Sequence, residues 1–262
     1  MIDKKTGLIS ILIVCLLLIG GCSLMTGMKE PKVIRDLAYD VTRKEDCIVY
    51  IEEDVFVPYL VLSSNYGGNT LLLRQYLLDE AMPFNVTNTH GWTYQAYGGY
   101  YEDSYIDHYL NTEFIEILSQ PIRDALMDST IIITDKSSLG VTGDAATVIS
   151  RKIFLLSLRE LNGPELRTSV AEGKVLKFFV GDHDRRVADF SDGKKSAYWT
   201  RTPETWETYS VFTIGNKSIG SGSADINSGV RPAFCLDSTT PIRQRSDIIS
   251  GQTVYVLADT DS

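Results

Sequence analysis

Two short apolar segments each carry one arginine and one proline, and they constrain the fold more than any other part of this 262-residue chain. They are Tyr198-Trp199-Thr200-Arg201-Thr202-Pro203 and Gly229-Val230-Arg231-Pro232-Ala233-Phe234. A guanidinium inside an apolar run is costly unless its planar fork is paired. Arg201 and Arg231 must therefore reach a ligand carboxylate, or carboxylates and loop carbonyls of the protein itself. The second reading, in which both arginines hold the fold, is favoured. In either case the two segments are expected as buried strand ends.

Hydrophobic residues make up 44% of the chain and charged residues 23%, enough apolar material for a sizeable core. The formal net charge of -9 disfavours non-specific contact with nucleic acid or anionic lipid. Of four cysteines, Cys15 and Cys22 belong to the N-terminal segment, which leaves Cys47 and Cys235 for the folded body. In an exported protein these two could form one disulfide; two separate buried thiols are the alternative.

Lys4 and Lys5 precede an apolar stretch over residues 7–19, followed by Gly20-Gly21-Cys22. A basic start, a short apolar run and small residues before a cut site describe a secretory signal. At about 13 residues the run is shorter than the roughly 20 needed to span a bilayer. The small pair before Cys22 resembles the bacterial lipobox, whose cysteine receives a diacylglyceryl group. That resemblance implies attachment to the lipid bilayer through Cys22, on the extracytoplasmic face of the cell membrane, because two acyl chains suffice for stable anchoring. Residues 1–21 are thus expected as signal peptide and 22–45 as a flexible tether. Residues 46–262 should form one globular domain.

In the body, β-rich runs on either side of Glu52-Glu53-Asp54 predict a hairpin. Pro58 predicts an edge or a bulge in its strand. Asn65-Tyr66-Gly67-Gly68-Asn69 predicts a turn, and residues 70–78 a strand running into a helical turn. Ser104 with Asp107 and Ser157 with Glu160 have capping-box spacing. A second helix is expected from Asn111 or Thr112, with Pro121 kinking it or starting a third. Strands are expected at 129–134, 152–157, 197–201, 209–214, 229–236 and 253–257, with Gly/Ser-rich loop at 215–228. The first and last strands are candidates to pair. Strands early and late with helices between indicate α+β, a mixed or antiparallel sheet with a few helices in the middle.

Motifs for chemistry are sparse. No zinc-protease, nucleophile-elbow or phosphate-loop pattern occurs, and no cofactor or metal is implied. Asp182-His183-Asp184-Arg185-Arg186 is the densest polar cluster, best read as a solvated loop of cancelling charges. Asp225-x-Asn227-x-Gly229 lacks the late glutamate of a calcium loop. Aromatics interleaved with glycine over 84–101 can form a stacking platform, or can pin a long loop to the body. Trp92, Tyr94 and Tyr97, together with Trp206, are the candidate ligand-binding residues.

The two arginine segments resemble the signature of a bacterial family of unknown function, family 6273. Its members typically show Tyr-Trp-Leu-Arg-Ser/Thr-Pro and then Gly-Val-Arg-Pro-Ala-Phe. Tyr198, Trp199, Arg201 and Pro203, then Gly229, Arg231, Pro232 and Phe234, match it, while Thr200 stands where leucine is usual. The resemblance covers roughly residues 50–236 and implies no activity. A Trp-bearing strand followed by a Gly-apolar-Arg strand is also distantly similar to C-type-lectin-like domains of the formylglycine-generating type. That similarity implies a lectin-like fold, without the paired cysteines of those enzymes or the calcium triplets of lectins. Together these readings predict a surface lipoprotein with a non-catalytic module for an envelope glycan, peptide or protein. A cell-envelope hydrolase and a purely structural envelope module are the alternatives.

Overall fold

The computed structural model describes residues 30–42, 47–86, 97–166, 169–216 and 218–258. The folded body begins at Lys32, upstream of the expected boundary. Ile34 and Leu37, three apart on the 3₁₀ turn Ile34–Leu37, are both buried, and Ile34 N donates to Thr240 O at 2.8 Å. Two apolar residues on one turn are enough to seat this segment but too few to produce a readable period. Part of the supposed tether is therefore domain.

The meander β1 (Ile48–Glu52), β2 (Phe56–Tyr66) and β3 (Asn69–Arg74) opens the main sheet. The hairpin around Glu52–Asp54 forms as expected, with Ile51 facing Val57. Between β2 and β3, Tyr66 pairs with Asn69 across Gly67 and Gly68, whose φ values are 62° and 98°. A two-residue hairpin loop whose twist matches the strands needs positive φ at both positions, which glycine supplies without strain. After Arg74 the chain bends; the helical turn expected there is absent.

Pro58 lies inside the sheet, since β2 has β1 on one side and β3 on the other. Its carbonyl accepts from Gln75 N at 3.0 Å, just beyond the last residue of β3. In an antiparallel pair a residue's N–H and C=O point to the same neighbour. The missing donor of Pro58 therefore faces the place where β3 has ended. The Gln75 carbonyl takes a donor from Arg231 Nη2 instead, at 3.4 Å.

The short β4 (Met82–Pro83) precedes the helical part. There α1 (Tyr105–Tyr109) runs through a π turn (Leu110–Phe114) into α2 (Ile115–Ile117) without a break. Ser104 Oγ caps α1 by accepting from Asp107 N at 3.2 Å. Asn111 does not cap a second helix. Its side chain donates to Ile153 O at 2.9 Å and accepts from Ile153 N at 3.1 Å, which ties the π turn to the sheet. Leu118 and Ser119 are extended and end the helical run, and Pro121 sits in the first turn of α3 (Gln120–Ala125), where its missing N–H costs nothing.

The remaining strands in chain order are β5 (Leu126–Met127), β6 (Ser129–Thr134), β7 (Ala146–Arg151), β8 (Ile153–Phe154), β9 (Tyr198–Pro203), β10 (Ser210–Ile214), β11 (Ile219–Ser223), β12 (Asn227–Ser228), β13 (Ala233–Leu236), β14 (Ile242–Ile249) and β15 (Gln252–Leu257). The main sheet has the order β14-β15-β1-β2-β3-β13-β5, with β8 also on β13. The first and last strands, β1 and β15, pair in parallel at Tyr50 and Val256. The pairs β9-β10-β11, β4-β12 and β6-β7 stand apart from this sheet.

The domain is sheet-dominated rather than evenly α+β. Among the described residues, helix beyond short 3₁₀ turns is confined to 105–117 and 120–125, where the extended Leu118 and Ser119 cut the apolar helical period. Several strands were not expected: the short β4, β5 and β12, β7 beside β6, and β11 and β14. β11 lies in the Gly/Ser stretch 215–228, and β14 carries Arg243, Arg245 and Asp247 at the sheet edge. Charge on an exposed edge strand blocks further pairing.

Candidate functional site

The arginine segments form the buried centre of the molecule. Every residue of β9 is buried, and Arg201 is fully so. Its Nη1 donates to Glu160 Oε2 at 2.7 Å and to Leu155 O at 2.8 Å. Its Nη2 donates to Glu160 Oε1 at 3.0 Å, and its Nε to Ile132 O at 3.0 Å. Four of its five N–H groups are engaged within the protein, and full burial leaves no face of the fork open to a ligand. Burial is the largest single influence and would lower its pKa, but the charge and hydrogen bonds of Glu160, with Tyr66 and Glu172, together outweigh it and raise it.

Glu160 closes the expected capping box: Ser157 N donates to Glu160 Oε2 and Glu160 N to Ser157 Oγ, both at 3.0 Å. Tyr66 OH donates to Glu160 Oε1 at 2.6 Å. A second buried carboxylate, Glu172, lies 3.9 Å from Arg201 Nε. It accepts from Thr134 N at 2.6 Å, Thr134 Oγ1 at 2.8 Å and Thr202 Oγ1 at 2.6 Å. Burial pushes its carboxyl up to about 7 against the pull of Arg201 and these donors. One guanidinium cannot neutralise two buried carboxylates, so the raised value has a plain cause.

Arg231 is satisfied by backbone. It donates to Arg74 O at 2.9 Å and Arg186 O at 3.2 Å, and its guanidinium lies 5.6 Å from the Tyr198 ring centre. Both arginines thus hold the fold. A third, Arg74, forms a buried bidentate pair with Glu53 at 2.9 and 3.2 Å, which Tyr59 OH completes at 2.8 Å. Glu53, Glu160 and Glu172 were missed as arginine partners. Only the buried arginines themselves signalled that such carboxylates must exist.

The two segments meet, but they do not share one sheet: β9 belongs to the three-stranded sheet and β13 to the main one. A bridge from Tyr198 to Gly229 joins them, with Trp199 N donating to Gly229 O at 3.0 Å and Gly229 N to Ala197 O at 2.8 Å. A Cβ at Gly229 would stand 2.6 Å from Leu77 Cδ1 and 3.0 Å from Ala197 O. Gly229→Ala is therefore expected to destabilise the domain by about 1–3 kcal/mol through overpacking, read as a lower denaturant midpoint. An unchanged midpoint would contradict this close approach.

The aromatic candidates divide. Trp92 and Tyr94 lie outside the described residues. Tyr97 and Trp206 are exposed, at 42% and 66%. Their loops are joined, since Gly99 N donates to Thr208 O at 2.8 Å, and Gly140 N and Thr142 N both donate to Thr205 O. Gly99 is needed at this seam because a Cβ there would lie 2.8 Å from Ser210 O. Lys136 Nζ sits 4.7 Å from the Tyr97 ring centre and 5.7 Å from that of Tyr100. Three loops, around 97–101, 136–143 and 204–209, thus build one surface of exposed rings and a cation. Lys136 was not anticipated, because its polar loop carries no motif.

Residues 67–238 match the profile of a family described as "Domain of unknown function (DUF6273)". The chain belongs to that family. The DUF6273 match holds both arginine segments, their carboxylates Glu160 and Glu172, and the Tyr97–Trp206 surface. Strands β1, β2, β14 and β15 fall outside it, together along one side of the main sheet. At Thr200, where the family usually has leucine, the hydroxyl donates to Phe212 O at 2.8 Å, so no buried polar atom is stranded. No curated protein and no solved structure matches the chain.

The remaining polar side chains of interest in this DUF6273 protein are dispersed. Glu102 accepts from Tyr100 OH at 2.8 Å and faces Arg151 at 3.8 Å. Asp182 pairs with Arg185 at 3.3 Å, and Arg201 is buried elsewhere. Cys47 and Cys235 are both buried and not in a disulfide, and burial pushes the Cys235 thiol up to about 12. A disulfide between them is ruled out by topology: Cys47 abuts β1 and Cys235 lies in β13, with β2 and β3 between. Three strand spacings amount to about 14 Å, twice the Cα separation a disulfide tolerates. Cys22 lies outside the described residues. Among those residues no helix is long and apolar enough to cross a membrane.

Proposed function

We propose that this DUF6273 protein is a bacterial surface lipoprotein, anchored by acylated Cys22, whose domain is a non-catalytic binding module with glycan as the favoured ligand. The observation that carries the reading is the exposure of Trp206 and Tyr97 on loops hydrogen-bonded to one another. Large rings left in water on a built surface mark a contact site more often than an accident of packing. An indole face offers apolar area to a sugar ring, and Lys136 beside Tyr97 and Tyr100 offers a donor for hydroxyl or acidic groups. A lectin-like relation of the fold is part of the proposal, as is a platform extended by Trp92 and Tyr94.

Glycan-array binding and titration by tryptophan fluorescence test it. Trp206→Ala is expected to weaken the strongest glycan at least about tenfold, since loss of a central aromatic anchor commonly exceeds 1 kcal/mol. Because Trp206 is exposed, the variant should keep its thermal midpoint. Binding that survives this change would sink the proposed surface. Mass measurement of the mature N-terminus tests the anchor separately: an unacylated chain would remove the membrane address and leave the binding test standing.

A further inference from the structure

Arg186 differs from the other buried arginines. It is 7% exposed, at the end of the 3₁₀ turn Asp184–Arg186. Arg74 and Arg201 have carboxylates, and Arg231 has carbonyls. Arg186 Nε has no hydrogen-bond partner, and burial lowers its pKa with no carboxylate to offset the effect. None of the nearby acids pairs with Arg186: Asp189 Oδ2 faces Lys195 at 3.5 Å while its Oδ1 is buried without a partner, and Asp182 faces Arg185 at 3.3 Å. A desolvated cation without a counter-charge is expensive, and an anion from outside would relieve it.

There is room for one. Arg186 lines a cavity of about 320 Å³ with His183, Asp184, Asn216 and Ser218, between the turn and the end of the β10–β11 hairpin. Arg186 Nη2 contacts His183 Nδ1. With Nδ1 accepting from Nη2, Nε2 is the ring nitrogen left to donate into the cavity. Asn216 and Ser218 add an amide and a hydroxyl at the rim. Asp184 on the same wall and a chain charge of -9 disfavour a doubly charged ligand.

We infer that this cavity binds a singly charged carboxylate, held by the Arg186 guanidinium with donors from His183, Asn216 and Ser218. The site lies at the opposite end of β10 from the Trp206 loop and does not depend on the glycan surface. The test is calorimetric and NMR titration of the full chain with sodium acetate against sodium chloride at fixed ionic strength. Acetate should bind saturably and shift one arginine Nε–H resonance downfield. Acetamide and inorganic phosphate should bind at least about tenfold more weakly, and Arg186→Met should lose at least that factor. If Arg186→Met does not fold, Asn216→Ala and Ser218→Ala, both at exposed positions, should each weaken acetate several-fold. No saturable acetate binding, phosphate binding as tightly as acetate, or full affinity in these variants would overturn the inference.

Discussion

Arg201→Met is expected to lower the stability of the domain by about 3–5 kcal/mol, the range seen when one partner of a buried ion pair is removed. The methionine would fill much of the volume, so the loss comes from charge rather than from a cavity. Glu160 would keep its bonds from Ser157 N and Tyr66 OH but lose the guanidinium that covers both of its oxygens. The carbonyls of Leu155 and Ile132 would also lose a donor. The check is urea denaturation at pH 7 with a paired variant. Arg201→Met combined with Glu160→Gln should cost clearly less than the sum of the two single changes, because the second removes the stranded charge. Additive losses, or a single variant within 1 kcal/mol of wild type, would show that the pair does not hold β9 in place.

The second large effect is one of pH. Glu172 has its carboxyl raised to about 7 in the fold, against an ordinary value near 4.5. Between those values the folded state holds a proton that the unfolded state has released, so stability falls as pH rises. Below about 4.5 both states are protonated and the group contributes nothing. Above about 7 both are ionised and the penalty is complete, at about 3 kcal/mol for roughly 2.5 pH units. Glu172→Gln cannot ionise and should lack this slope. The difference in unfolding free energy between variant and wild type is therefore expected to grow in favour of the variant from pH 4.5 to 7 and then level off. Taking the difference cancels the other titrating groups, including Asp107, whose carboxyl is raised by burial despite its pairing with Arg151. Parallel profiles across this window would mean that Glu172 is ionised throughout.

Elements governed by residues close in sequence were legible in the chain. The hairpin around Glu52–Asp54, the Gly67-Gly68 turn, the capping roles of Ser104 and Ser157 and the burial of both signature arginines all follow from local chemistry that needs no distant partner. What lay beyond the sequence was which distant groups meet. The partner of Arg201 comes from 41 positions away, and nothing in the pattern around Glu160 distinguishes a charge in a capping box from one buried against a guanidinium. β11 escaped notice because backbone hydrogen bonds are indifferent to side chains, so a Gly/Ser run can form a strand once β10 is beside it. Tyr97, Lys136 and Trp206 share a surface only because three loops with no common motif bond to one another through their backbones. Local propensity and burial cost are written residue by residue; long-range pairing is decided by chain closure, which only the folded tertiary structure specifies.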